Sequence, residues 1–382
     1  MAFLCRWIMV LTLLLAGGAR LCAASAADQA FRAARDAFQD KFYDRAEAQF
    51  ADFTHKYPAS PRLAEAILLQ AVARLELSNY VGAIQLLSVP QGSAGTNADE
   101  YLFWLAQANS GKGDWRAAAD TFAKVVKDFP ASLRCLEAVL REASARAALA
   151  QTEPAEWRRV IDMLEQTNGV FQSAVRTNAS GELAVQGTLL LSEAQLATKD
   201  YGGAEATLQP LAKHLLKPRL AWQWQYLLCR IQKADGRMEA ALQSTTNLLA
   251  QASSTGQTNL LAESVWFQAR LFERLGRTND ALAAYQQNLA DGVPAEPFCQ
   301  ALLKIAELSW KQGSIPEAAQ TLEKFLARSP GASLADLALL TLGELRMHQY
   351  APGVNFNAAA MVATDAASTN NVLPACTSRR YK

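Results

Sequence analysis

The chain has 382 residues, 51% hydrophobic and 19% charged, which excludes the apolar-poor, highly charged composition of a disordered polypeptide. Lysine plus arginine number 37 against 36 aspartate plus glutamate, a formal net charge of +1. That balance leaves no basic stripe for nucleic acid and no strongly charged face for a membrane surface. A single compact core stops growing at roughly 250–300 residues, so the chain is expected to be several domains or an elongated array.

Residues 1–26 have the layout of a secretory signal peptide. Arg6 gives a positive start, Trp7 to Ala16 is an apolar run, and Ala24-Ser25-Ala26 fits an A-x-A cleavage site. The apolar run is about half of the roughly 20 residues that span a bilayer, and no later segment is long and apolar enough to cross one. The expected product is exported, periplasmic or secreted. Cys22 follows the run, but Ala19-Arg20-Leu21-Cys22 departs from the small-residue lipobox that it resembles, so lipid anchoring is disfavoured.

From there a two-helix unit recurs along residues 27–350. The first copy has Tyr43, Ala46, Phe50, Phe53 and Pro58, and the second has Tyr80, Ala83 and Leu87. The third is the clearest: Leu102, Leu105-Ala106, the turn Gly113-Asp114-Trp115, then Ala118, Phe122, Val125 and Pro130. A degenerate fourth offers Trp157, Val160 and Leu164, with insertions around Gln151–Pro154 and Thr167–Ser180. The fifth has Asp200-Tyr201, Ala204 and Leu208, and the sixth Asp235-Gly236, Ala241 and Leu248. The seventh has Gly276, Ala281 and Tyr285, the eighth Gly313, Ala318, Leu322, Phe325 and Pro330, and a ninth starts near Ser333. The tail, 351–382, is rich in Ala, Asn and Thr and is expected to be disordered or incomplete.

The third unit resembles the tetratricopeptide repeat (TPR), and each matched position has a mechanical role. Ala106 and Ala118 are small because two helices cross there, Trp115 and Phe122 fill the space toward the next pair, and Pro130 ends the unit. The resemblance implies an all-α fold, a solenoid of helix-turn-helix repeats forming a right-handed superhelix. No unit buries its own apolar face, so neighbours stack and leave an extended concave surface lined by the first helix of each pair. The linkers Phe50-x-x-Phe53-x-x-x-Tyr57-Pro58-x-Ser60, Phe129-Pro130-x-Ser132 and Ser329-Pro330-x-x-Ser333 are similar to those of BamD-like outer-membrane assembly lipoproteins and Tol-Pal-associated periplasmic coordinators. That likeness implies an envelope scaffold, with association with outer-membrane components as the alternative.

No catalytic, cofactor or metal motif appears. Three histidines, His55, His214 and His348, lie far apart, and there is no H-E-x-x-H, G-x-S-x-G or P-loop pattern. Gly111-Lys112-Gly113-Asp114 reads as an interhelical turn. Glu153 and Glu156 read as a solvated helix start, and Cys135, Cys229, Cys299 and Cys376 as single packing residues. The expected function is therefore non-enzymatic binding of other proteins or peptide segments, with glycan binding a weaker reading. Setting Cys229, Ala269 and Ala306 at the crossing position places Arg230, Arg270 and Glu307 on the concave side, with Tyr226, Trp266 and Trp310 beside them. Aromatic and arginine side chains are the types that anchor peptides. Their competing role is interhelical filler, and Trp224 is the strongest candidate for core.

Overall fold

A computed structural model describes residues 26–88, 95–290, 292–328 and 335–350. The signal-peptide expectation, apart from residue 26, and the tail lie outside these residues. The described residues are helical throughout, with no strand among them. They form two compact units, divided between Ala174 and Val175.

The first unit contains α1 (26–39), α2 (Tyr43–Lys56), α3 (Leu63–Glu76), α4 (Tyr80–Leu87), α5 (Ala98–Lys112), α6 (Trp115–Asp128), α7 (Cys135–Leu149) and α8 (Glu156–Glu165). Helix α9 (Val170–Thr177) lies in the second predicted insertion and straddles the division. The second unit contains α10 (Glu182–Ala197), α11 (Tyr201–Leu208), α12 (Pro218–Ala234), α13 (Met238–Ser254), α14 (Thr258–Arg274), α15 (Thr278–Gln287), α16 (Ala295–Lys311), α17 (Ile315–Arg328) and α18 (Ala335–Tyr350). Within each unit, helices pair as hairpins, and hairpins stack on their neighbours. Below, helix A is the first of a pair and helix B the second.

One contact defines the hairpin. Ala34/Ala46, Ala71/Ala83, Ala106/Ala118, Ser192/Ala204, Cys229/Ala241, Ala269/Ala281 and Ala306/Ala318 have no exposed surface. The partners stand 12 residues apart, as the direct bond in one pair shows: Ser192 Oγ donates to the Ala204 carbonyl at 2.8 Å. A side-chain hydroxyl on helix A thus touches the backbone of helix B. Only small side chains fit such an approach, because the interior is close-packed and has no slack for added methylenes.

The turn between A and B repeats as strictly. Lys41, Ser78, Gly113, Lys199, Gly236, Gly276 and Gly313 all have positive φ, between 61° and 87°. Each sits five positions before the helix B crossing residue. The amide after each one donates back over the last turn of helix A, as in Asp114 N–H to Asn109 O at 2.9 Å and Asp200 N–H to Gln195 O at 2.9 Å. This is the Schellman closure of a helix C-terminus. Glycine is the residue expected at such a φ, and three copies manage without it. The degenerate fourth unit has no left-handed residue at this point. Helix B then starts on a capping side chain in three copies: Asn79, Asp114 and Asp200 accept from the amides of Gly82, Ala117 and Gly203.

The echoing linkers are structural twins. In the first, Ser60 N–H donates to Tyr57 O at 3.0 Å and Ser60 Oγ accepts from Arg62 N–H at 3.2 Å. In the second, Ser132 N–H donates to Phe129 O at 3.0 Å and Ser132 Oγ accepts from Arg134 N–H at 3.1 Å. Each then lays an arginine on a phenylalanine of the preceding helix A: Arg62 lies 4.8 Å from the Phe31 centroid, and Arg134 lies 4.9 Å from that of Phe103. The third linker is outside the described residues.

Glu156 departs from expectation. Its relative exposure is 2%, and it accepts from Arg146 at 3.1 Å and Arg159 at 2.6 Å. The first turn of α8 packs against α7, with Trp157 buried beside it, so the carboxylate is enclosed and must be paired. Glu153 does stay at the surface, bound to Arg116 at 2.5 Å. Cys135, Cys229 and Cys299 are free and buried, as packing residues would be, and Cys376 lies outside the described residues.

A candidate partner-binding face

The candidate site lies in the second unit, on the succession of A helices α10, α12, α14 and α16. The crossing residues Ser192, Cys229, Ala269 and Ala306 fix the register. The next residue along each helix, Glu193, Arg230, Arg270 and Glu307, is rotated about 100° away from the hairpin contact. None of the four is fully exposed. Their stems are covered by neighbouring helices, and their charged ends are held by one another or by adjacent side chains.

Arg230 bridges α12 to α10, its Nη1 donating to Glu193 Oε1 at 3.0 Å. Its guanidinium also lies 6.0 Å from the Tyr226 ring centroid. Glu307 is clasped by Lys304 at 2.8 Å and Lys311 at 2.5 Å. Burial acts to raise its carboxyl, but the two lysines outweigh that and hold it below the ordinary carboxylate value. Arg270 lies within electrostatic reach of Lys233 and Tyr285.

The three aromatic candidates are interior to different degrees. Tyr226 is 8% exposed, stacked on Trp222 at 5.0 Å and set edge-on to Phe267 at 5.4 Å. A position one turn before the crossing points between adjacent A helices, so its ring is core and does not face a groove. Trp266 is half-buried against Tyr285, with centroids 5.0 Å apart. Trp310 is half-buried 5.2 Å from His348. The structure therefore joins Tyr226 to Arg230, and brings Arg270 near Lys233. Trp266 and Trp310 are placed at two other helix junctions. Trp224, the strongest core candidate by sequence, is only half-buried and donates to Leu208 O at 3.0 Å; the enclosed indole is Trp222, 2% exposed, which donates to Ser264 Oγ at 2.9 Å.

Several residues of the face escape a search keyed to alanine. Glu193 follows Ser192, which stands where the other units carry alanine or cysteine. Lys233 lies one helical turn beyond Arg230, and Arg274 one turn beyond Arg270. The Lys233 ammonium sits 5.3 Å from the Phe267 centroid. Burial, and then the charges of Arg274, Arg270 and Arg230, push its amine down to about 8. Glu263 lies beside the Tyr226 hydroxyl, and burial raises its carboxyl against the opposing pull of Tyr226 and Arg230. Among the described residues no three His, Cys, Asp or Glu side chains gather as a metal site, and no helix is long and apolar enough to cross a membrane.

Two family models, both described as tetratricopeptide repeat, match this chain: one over residues 31–96 and 268–333, the other over 100–132. These stretches are tetratricopeptide repeats. The fold is accordingly an all-α TPR solenoid. No curated protein matches the chain in sequence. Among solved structures, the apo form of RapI is 10% identical, with a TM-score of 0.52, covering 85% of this chain and 98% of that one. A tetratricopeptide repeat protein from Parabacteroides merdae is 13% identical, with a TM-score of 0.39 and coverage of 84% and 98%. A Rap protein complexed with competence and sporulation factor is 10% identical, with a TM-score of 0.44 and coverage of 84% and 98%. At these identities the likeness to RapI is a likeness of fold.

Proposed function

We propose that this protein is a non-catalytic scaffold of the cell envelope that holds segments of other proteins on the A-helix face of its second unit. The observation that carries the reading is the set Glu193, Arg230, Arg270 and Glu307. It puts one charged, half-anchored side chain per repeat at the same register, immediately after the crossing residue. A residue placed there contributes little to the hairpin contact, so its chemistry is available for recognition. Ordered ion pairs such as Arg230–Glu193 also reduce the entropy lost when a ligand docks. TPR proteins as a class are interaction scaffolds, which supports the same reading.

Peptides selected from a random library on the full-length chain test this face. Arg270→Glu is expected to weaken the selected peptides at least about tenfold, because a reversed charge in an interface repels what the original attracted. Lys324→Glu, on exposed surface of helix B α17, is expected to leave them unchanged. Equal effects of the two variants, with circular dichroism unaltered, would place binding elsewhere. The export part of the proposal is supported by the layout of residues 1–26. It predicts a mature chain beginning at Ala27 by mass spectrometry, and a chain that keeps Met1 contradicts it.

A further inference from the structure

We propose that a groove in the first unit binds an alkylammonium, an apolar stem that ends in a protonated primary amine. The site goes beyond the A-helix face and lies wholly among residues 123–171. Its cavity measures about 340 Å³, near the lower end of the roughly 300–1,000 Å³ of small-ligand sites. It therefore takes one side chain or one small amine.

Four helices build the groove. Val126 on α6, Val139 on α7, Met163 on α8 and Phe171 on α9 supply apolar walls. Gln172 pins α9 to α8 by donating to Leu164 O at 2.6 Å. Set into these walls is one buried carboxylate, Glu142, 7% exposed. Its Oε1 accepts from Arg146 Nε at 2.8 Å, with Nη2 at the same distance, and its Oε2 has no donor among the described residues. Arg146 is itself shared, because it also donates to Glu156 at 3.1 Å. Burial raises the Glu142 carboxyl above its ordinary value against the pull of Arg146, and the charges of Asp120 and Glu156 add to the rise. Lys127, exposed at the mouth, forms no ion pair with Glu142. An enclosed carboxylate oxygen without a donor is costly, and an ammonium placed on it removes that cost. One free oxygen suits the point charge of an ammonium, whereas a guanidinium fork needs two. The methylene stem then lies along the valines, Met163 and Phe171, as a lysine stem covers apolar surface.

Methionine-methyl NMR of the full-length chain tests this, because the Met163 signal, assigned from Met163→Leu, reports on one wall directly. The probes are n-pentylamine, n-pentanol and pentanoate, with a lysine peptide and its norleucine counterpart. Pentylamine is expected to shift the Met163 signal and to bind at least about tenfold more tightly than pentanol. Glu142→Gln, which keeps an acceptor for Arg146, should remove that preference, and Lys127→Gln should strengthen it. Val170→Phe, which narrows the groove without altering charge, should weaken pentylamine and pentanol alike. A Glu142-dependent preference for the lysine peptide over the norleucine peptide upholds the site and makes a polypeptide lysine its occupant. The same dependence for pentylamine alone upholds the site and makes a free amine its occupant. Pentylamine and pentanol binding alike, pentanoate binding best, a preference that survives Glu142→Gln, or a Met163 signal unmoved by every probe overturns the proposal.

Discussion

Phe122→Ala is expected to lower stability by about 3–5 kcal/mol, at the high end for large-to-small changes. The Phe122 ring has no exposed surface and meets Phe103 edge-on at 5.6 Å. The other buried residues of its cluster are Val125 and five alanines, Ala106, Ala118, Ala119, Ala138 and Ala145. Alanines have no rotamer with which to fill a void, so the cavity persists and the lost contacts are not recovered. The midpoint of urea denaturation, followed by circular dichroism, measures the loss. Phe42→Ala is the matched control, because Phe42 is 61% exposed, and its effect should stay within about 0.5 kcal/mol. Equal losses for the two would mean that Phe122 is not the filler of this hairpin stack.

The second large effect comes from two neighbouring alanines on α1. Ala34 is fully buried at the crossing with Ala46, and Ala33 is exposed. Leucine at position 34 has to push helices α1 and α2 apart, and about 1–3 kcal/mol should be lost. Leucine at position 33 lies on the outer surface and should change stability by less than about 0.5 kcal/mol. Helix propensity is nearly the same for both substitutions, so any difference reports the crossing. The same denaturation experiment reads it.

These contrasts also mark what could be read from the chain. The alanine and phenylalanine positions were legible because a side chain at a crossing is limited by volume, and volume is a property of residue type. Ser192 escaped the same search, although it is small enough, because its hydroxyl makes it look like a polar surface residue. In the fold that hydroxyl is satisfied by Ala204 O. The turns were recognised where glycine stands, and less readily at Lys41, Ser78 and Lys199, where other residues carry the left-handed conformation. The division at Ala174 had no clear signal, because α9 reads as one more polar insertion.

Less of the site was legible. Register alone proposes Arg230, Arg270 and Glu307, since one residue past a crossing has a defined direction. Register did not give which rings meet between adjacent A helices, and Tyr226 lies in the core beside Trp222 and Phe267. Pairing was also out of reach. Arg230 and Glu193 lie 37 residues apart, and Glu156 depends on an arginine of the preceding helix. Lys233 looks like an ordinary lysine at a helix end until its ammonium is placed 5.3 Å from the Phe267 ring of the next A helix.

All of this depends on one register, in which a helix A residue meets a helix B residue 12 positions later. Ala241→Cys measures it directly, because Cys229, its partner at the crossing, is already a free, buried thiol. A disulfide needs Cα atoms about 4.4–6.8 Å apart, a separation that the crossing predicts for this pair, so mild oxidation of the folded chain should give a Cys229-linked peptide by mass spectrometry. Ala240→Cys, rotated away by about 100°, should give none. A free thiol at position 241, or preferential linkage from position 240, would contradict the register and with it the assignment of every residue on the A-helix face.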